Sequence, residues 1–392
     1  MTIIITILIA LLAVLLDYKA YCRIKNSGVN KFVKKIFLFL VTLSYLLILL
    51  TPVLMYFVID EENSSFMMKT SMILLTTYLT LSVPRLLFYF MWLPSKNRYL
   101  FWIGLTLSSL LFFTFIYSAF ITRTNYLINK VKIEFDNLPH RFDGYKLAFI
   151  SDIHTGSMID ADNELKEIFQ IISSSGVDIV LFGGDIINIH HSEITDLLLS
   201  EYSSLKASDG VFMVLGNHDT GAYIKSSNKA KREANTNTLV AKMESAGWCV
   251  LRDSTVYIYR DVDSIAITGI DYSENLLEYK HSMDAVKGVD LNSIYNNVPD
   301  SVFNITLSHL PQLWHSLCDG GYSDLTLSGH IHAMQFKIGS FSPAKFMYDE
   351  WSGLYESEKG KLYINDGIGC VGYFSRIGAC PEITIIELST IK

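Results

Sequence analysis

Among the five cysteines of this 392-residue chain, no two form a C-x-x-C pair, so neither a zinc ribbon nor a dithiol redox motif is encoded. Cys22 stands apart, whereas Cys249, Cys318, Cys370 and Cys380 form an even set compatible with disulfides or with buried free thiols. Positive charge is scarce beyond the first third of the chain. Residues 124–392 carry 21 Lys or Arg against 35 Asp or Glu, a net charge of −14, and no basic stripe. That excludes nucleic-acid binding through phosphate contacts and suits an environment that tolerates divalent cations. No internal repeat or low-complexity tract occurs. No basic residue precedes the first apolar run, Ile3–Leu16, and no small-x-small cleavage site follows it, so it reads as a short membrane span and not as a signal peptide.

What the chain has in excess is apolar sequence, concentrated in residues 1–123. Three further runs, at 36–59, 71–93 and 100–121, are each long enough to cross a bilayer and carry no amphipathic pattern. The expectation is an all-α transmembrane region of four helices over 1–123, with the lipid bilayer as its partner. Lys19, Arg23, Lys25, Lys31, Lys34 and Lys35 stand between the first two runs, and Lys96 and Arg98 between the last two. Asp60, Glu61 and Glu62 stand between the second and third. Basic loops stay cytoplasmic, which predicts a plasma (inner) membrane protein whose C-terminal domain is extracytoplasmic; Arg123, Lys130 and Lys132 oppose that bias without reversing it. Pro84 and Arg85 fall inside the third run and read as a Pro-kinked helix whose Arg snorkels to the membrane surface.

From Asn125 the pattern changes to short strands alternating with amphipathic segments, an α/β domain expected over residues 124–392. YLINKVKIEFDNL alternates as a half-exposed strand, LAFISDIH follows as a buried one, and NELKEIFQIIS has helical spacing up to Gly176. VDIVLFGGD, a helical stretch over 192–205 and VFMVLGNHD continue the alternation. After a helical segment within 226–246, strands dominate and imply a second sheet packed on the first. The connection 333–361 is long for a compact domain and is a candidate lid, its FSPAKFMYDEWSGLY stretch facing lipid, substrate or core.

Five strands in this domain end on metal-ligand residue types: Asp152 and His154; Asp185; Asn217, His218 and Asp219; His309; His330 and His332. A lone histidine at a strand end is usually a hydrogen-bonded structural residue. Five such ends, where an α/β fold builds its site, point instead to carboxylate, amide and imidazole ligands for two divalent cations of borderline hardness. With an Asp as bridge, such ions stand about 3.5–4 Å apart and hold a hydroxide for attack.

The blocks Asp152-Ile153-His154, Gly183-Gly184-Asp185, Gly216-Asn217-His218-Asp219, His309 and Gly329-His330-Ile331-His332 resemble, in this order, the calcineurin-like metallophosphoesterases. The resemblance implies a four-layer αββα sandwich and two metal ions, Mn, Fe or Zn. It implies that Asp152, His154 and His332 hold one ion, that Asn217, His309 and His330 hold the other, and that Asp185 bridges them. His218 would stand beside the leaving group, with Asp219 orienting its ring. The C-terminal block YINDGIGCVGYFSRIGACPEITIIEL is similar to the closing segment of membrane-linked members, where an Arg precedes a Pro-Glu strand; Arg376 is thus a substrate-phosphate contact or a structural ion-pair partner. His190 and His191 are further candidates to line the substrate cleft. After GHIH, Ala333-Met334-Gln335 stands where relatives often have Gly-Gly-Gln, which leaves the shape of that loop open.

The expected function is a membrane-anchored, dinuclear phosphohydrolase acting on a phosphorylated, lipid-linked or membrane-proximal substrate, with no nucleic-acid partner and no feature marking a protein partner. The similar UDP-diacylglucosamine hydrolases extend the substrate class to nucleotide-lipids if the domain is cytoplasmic. The rival is a non-catalytic receptor or scaffold that binds a phosphorylated ligand through the same fold. An eroded ligand set would favour the rival, and none of the expected ligands is missing here.

Overall fold

In the computed structural model, residues 2–58, 64–224, 228–279 and 284–391 are described. They divide into two compact units, one of residues 1–57, 70–121 and 372–375, the other of residues 58–69, 122–371 and 376–392.

The first unit holds the helices α1 (Thr2–Lys25), α2 (Lys31–Val58) but for its last residue, α3 (Ser64–Trp92) from Thr70 onward and α4 (Arg98–Phe120). Among the described residues three segments, not the expected four, are long and apolar enough to cross a membrane: Lys31–Val53, Ser65–Trp92 and Arg98–Thr124. The expected first span, Ile3–Leu16, lies within α1, but mostly over residues 1–11, whose side chains are outside the described set. Arg85 does not snorkel. Its Nε lies 3.2 Å from Asp17 Oδ1, its Nη1 donates to Ser44 Oγ at 2.8 Å, and Asp17 also accepts from the hydroxyls of Tyr45 (2.7 Å) and Tyr89 (2.9 Å). A carboxylate at the end of the first apolar run thus neutralises the cation of the third, because in an apolar unit a paired charge is far cheaper than a lone one.

The second unit is a mixed α/β sandwich of two six-stranded sheets. The first sheet has the order β1 (Leu127–Phe135), β12 (Glu382–Thr390), β2 (Lys146–Ile150), β3 (Ile179–Phe182), β4 (Val211–Met213) and β5 (Cys249–Val250). The second has the order β10 (Gly353–Glu356), β11 (Lys361–Ile364), β9 (Leu325–Ser328), β8 (Phe303–Leu307), β7 (Asp263–Gly269) and β6 (Ser254–Arg260). Within each, the strands that lead to the five ligand blocks pair in parallel, β2 with β3 and β3 with β4, and β8 with β9. Their carboxyl ends therefore point the same way, which is what gathers the ligand blocks in one place.

Period-two alternation sorts the side chains. Leu147 and Phe149 of β2 join Leu181, Ile267, Ile305 and Leu327 in a core between the sheets. Ala148 and Ile150 point the other way, into a core shared with Leu165, Ile168, Phe169 and Ile172 of α5 (Ala161–Ser174), Leu198 and Tyr202 of α6 (Asp196–Ser204) and Leu239 and Met243 of α7 (Lys229–Ser245). The final strand β12 returns between β1 and β2, parallel to the first and antiparallel to the second. All five cysteines are free. The 333–361 connection is less open than a bare lid: β10 lies within it and pairs with β11 just beyond, although Ile338, Phe346 and Met347 are exposed.

Candidate metal centre

The ligand blocks begin where the strands stop, and the chain there leaves the extended region abruptly. Asp152 (φ 53°), His154 (φ 49°), Asp185 (φ 61°), His330 (φ 76°) and His332 (φ 54°) all occupy the left-handed region, which costs a non-glycine residue roughly 1–2 kcal/mol. Five such residues at one end of the sandwich form a concentration of strain of the kind that marks functional sites. The turns also require close packing: a Cβ added to Gly216 would lie 2.1 Å from Asp185 Oδ1. The loop that departs from the Gly-Gly-Gln pattern keeps the conformation glycine favours, with Ala333, Met334 and Gln335 at φ 46°, 50° and 56°.

Two ligand groups result. Asp152, His154 and His332 form one, and Asp185, His309 and His330 the other; within each group the ligand atoms all lie within 4.8 Å of one another. Asp185 Oδ2 stands 3.7 Å from His154 Nε2 and 3.3 Å from His309 Nε2, between the two groups. Asn217 Oδ1 is 3.1 Å from His309 Nε2, while its amide nitrogen donates to Tyr223, which turns the oxygen toward the histidines. Asp152, Asp185 and Asn217 follow strands of the first sheet; His309, His330 and His332 follow strands of the second.

Charge is arranged for cations. Burial acts to raise the Asp185 pKa, but His309 and His218 hold it well below the usual carboxylate range; Asp152 is likewise lowered, against burial, chiefly by His332. Burial keeps His154 neutral and takes His330 down to about 3. His309 opposes that trend, since Asp185 overrides burial and pushes it up to about 9. A proton there fills a place a cation would take. The clearest mark of an absent partner is His154: fully buried, it has neither ring nitrogen hydrogen-bonded. A buried imidazole without partners is costly unless something else coordinates it, so the residues fit a metal.

Two expected roles change. Asp219 does not touch the His218 ring; its oxygens accept the backbone N–H groups of Asp185 (2.8 Å), Ile186 (2.9 Å), Ile187 (3.2 Å) and Gly216 (2.8 Å), fixing the turn that carries Asp185. The His218 ring is held instead by the Asn188 carbonyl, 2.6 Å from Nδ1, and stacks on Tyr223 at 4.2 Å. Arg376 is fully buried, so it is neither a substrate contact nor half of an ion pair. It donates to the carbonyls of Asp366 (2.9 Å), Gly369 (2.8 Å) and Ala379 (3.1 Å), and its Nη2 lies 3.1 Å from His332 Nδ1. Arg376 is a positioning residue for His332. Arg376→Met is expected to weaken binding at the Asp152, His154, His332 group by roughly 10–100-fold, the usual effect of losing the partner of a ligand, with the other group spared. Metal titration against a competing chelator, alongside thermal melts in chelator alone, separates this from a merely structural role.

The His190 and His191 rings lie 4.1 Å apart, tilted by 37°, with His190 Nδ1 2.9 Å from Ser192 Oγ; among the described residues neither joins a ligand group. Sequence reasoning missed Glu193. Its buried carboxylate accepts the N–H groups of Gly156 (3.0 Å), Asn188 (2.6 Å), Ile189 (2.7 Å) and His190 (3.2 Å), tying the loop after His154 to the loop after Asp185.

Residues 145–334 match the family model for calcineurin-like phosphoesterases. The metallophosphoesterase YkuE of Bacillus subtilis is 28% identical over 265 residues, covering 64% of this chain and 82% of that protein. A transmembrane protein with a metallophosphoesterase domain from Danio rerio is 29% identical over 266 residues, covering 66% of this chain and 56% of that one. The UDP-2,3-diacylglucosamine pyrophosphatase LpxG of Chlamydia muridarum is 27% identical over 297 residues, covering 64% and 86% respectively.

Proposed function

Since the chain carries a calcineurin-like metallophosphoesterase domain together with apolar, membrane-type helices, we propose that it is a dinuclear-metal phosphohydrolase that cleaves a phosphoester or pyrophosphate bond in a lipid-linked substrate. The observation that carries this reading is the pair of ligand groups meeting at Asp185, with His154 of the first group buried and neither of its ring nitrogens hydrogen-bonded. Asp152, His154 and His332 would hold one ion, Asn217, His309 and His330 the other, and Asp185 both. Two such cations, when bound, supply positive charge against phosphate oxygens and lower the pKa of water toward neutrality.

The remaining work falls to the chain itself. His218 Nδ1 lies 2.6 Å from the Asn188 carbonyl, so the ring's own proton sits there and Nε2 is the acceptor; a proton that Nε2 takes from the attacking water is the one it would return to the departing oxygen. The Asp219 carboxylate keeps the backbone turn of Asp185 rigid, and Arg376 keeps the His332 ring from rotating. The lipid-linked class rests on the apolar helices and on the likeness to LpxG. Basic residues between the helices favour an extracytoplasmic domain, whereas a nucleotide-lipid substrate would require a cytoplasmic one.

The test is metal content and hydrolysis by full-length protein in detergent or nanodiscs, with and without chelator, across aryl phosphates, phospholipids and nucleotide-lipids. About two ions per chain, chelator-sensitive hydrolysis and a preference for a lipid-linked substrate are expected. Metal without hydrolysis would favour a phosphoryl-ligand receptor, and no bound metal would end the proposal.

A further inference from the structure

The connection that follows His332 presents apolar side chains to the outside instead of burying them. Ile338, Phe341, Phe346 and Met347 are exposed, four within residues 338–347. Elsewhere in the α/β domain such exposure is scattered, as at Ile159, Leu197 and Val262, and single exposed apolar residues are ordinary, whereas a contiguous patch marks an interaction site. This patch is contiguous: the Phe341 ring centroid lies 6.4 Å from that of Phe336 and 6.1 Å from that of Phe346. The backbone beneath it is fixed. Ser342 is fully buried, and its Oγ donates to the Ala333 carbonyl at 2.7 Å, one residue past His332. Ile338 and Phe341 bridge to each other, and Phe336 bridges to Ile377. The exposed side chains therefore stand on a rigid support beside the metal centre.

Two observations say what covers them. The first is where the chain enters the domain. β12 runs parallel to β1, with Leu127 opposite Glu382, and antiparallel to β2, with Thr384 opposite Phe149. The start of β1 thus lies at the end of the sandwich where β2 stops and Asp152 begins. The last segment able to cross a membrane ends at Thr124, three residues earlier, so at most about 10 Å of chain separates it from the metal end. The second is charge. In a domain of net charge −14, Lys345 Nζ stands 5.2 Å from the Phe341 ring centroid and 5.7 Å from that of Phe346. Among the described residues it has no ion-pair partner, whereas Lys337 is tied to Asp366 at 2.8 Å. Rings and aliphatic chains beside a free lysine suit the headgroup layer of a bilayer, where the apolar groups leave water and the ammonium meets phosphate.

We propose that segment 336–347 docks on the surface of an anionic bilayer, with Ile338, Phe341, Phe346 and Met347 among the headgroups and Lys345 on a lipid phosphate. Of the proposed function this uses only the membrane anchoring of the chain, and its test reads no hydrolysis, so the two readings fail separately.

The experiment uses full-length protein with photoreactive benzoylphenylalanine at position 338, 346 or 262, in nanodiscs of phosphatidylcholine alone or mixed with phosphatidylglycerol. Lipid adducts are expected at 338 and 346. None is expected at 262, since Val262 is 93% exposed but stands just before β7, at the opposite end of the sandwich. Adducts at 346 should increase when phosphatidylglycerol is present, and Lys345→Gln should reduce that increase roughly fivefold, about the effect of one lysine at an anionic surface. Thermal melts identify which labelled chains are folded, and positions 338 and 346 lie on either side of the Ser342 anchor, so one folded chain suffices. No adduct at the loop position of a folded chain, or equal adducts at 262, overturns the docking site. Adducts to a second copy of the chain in place of lipid overturn the choice of partner, and adducts indifferent to phosphatidylglycerol overturn the role of Lys345.

Discussion

Asp185→Asn is expected to reduce bound metal from about two ions per chain to less than one, and to abolish hydrolysis. The side chain is almost completely buried, and one of its oxygens stands between His154 and His309, where two cations would share it. Asparagine has the same shape but no charge. Two cations held a few ångströms apart repel strongly where water is excluded, and among the described residues no other carboxylate stands between the two groups to offset that repulsion. The fold should survive, because the other oxygen of Asp185 accepts the His218 N–H at 2.8 Å and an amide oxygen can do the same. Metal analysis, activity and a thermal melt in chelator therefore give a decisive set. Two retained ions, or lost stability in chelator, would contradict the bridging role.

His218→Asn is expected to do the reverse, leaving both ions in place while hydrolysis falls roughly 10²–10⁴-fold, the usual contribution of a positioned acid or base. Burial lowers the His218 pKa, so the ring is neutral in the site without metal, and the Asn188 carbonyl fixes its orientation. The dependence on leaving group is the sharper readout. An aryl phosphate leaves as a stabilised anion and needs little help, whereas an alkyl ester needs a proton. The loss should be severe for the alkyl substrate and mild for the aryl one. An equal loss for both would point to a role in binding phosphate, and loss of metal would make His218 a ligand.

Much of this was legible in the sequence because it depends on local rules. Alternation located β1, buried apolar runs located β2 and β3, and each of the five ligand blocks follows the end of an apolar strand. What the sequence hid is contact between segments far apart in it. Arg376 reads as a substrate contact or an ion-pair partner; only the path of the chain after β11 brings it against His332, 44 residues earlier. Asp219 adjoins His218 in sequence, which suggests a hydrogen-bonded pair, yet four amides across the turn claim both carboxylate oxygens. Asp17 drew no reading from the sequence, because its partner Arg85 lies 68 residues away. In each case a buried polar group found its partners through the tertiary fold.

The division of ligands between the two sheets has a consequence for folding. An ion held by Asp152 and His154 from one sheet and His332 from the other would be a clasp across the sandwich, and one held by Asp185, His309 and His330 would make a second. Binding to the folded chain alone stabilises it by about 2.7 kcal/mol per ion at a free concentration one hundred times Kd, a large share of the 5–15 kcal/mol typical of a domain. The strained left-handed turns, which oppose folding when empty, would then be held in place by the cations they surround. Metal supply would govern how much of the protein persists in its folded form, as well as how fast it turns over substrate.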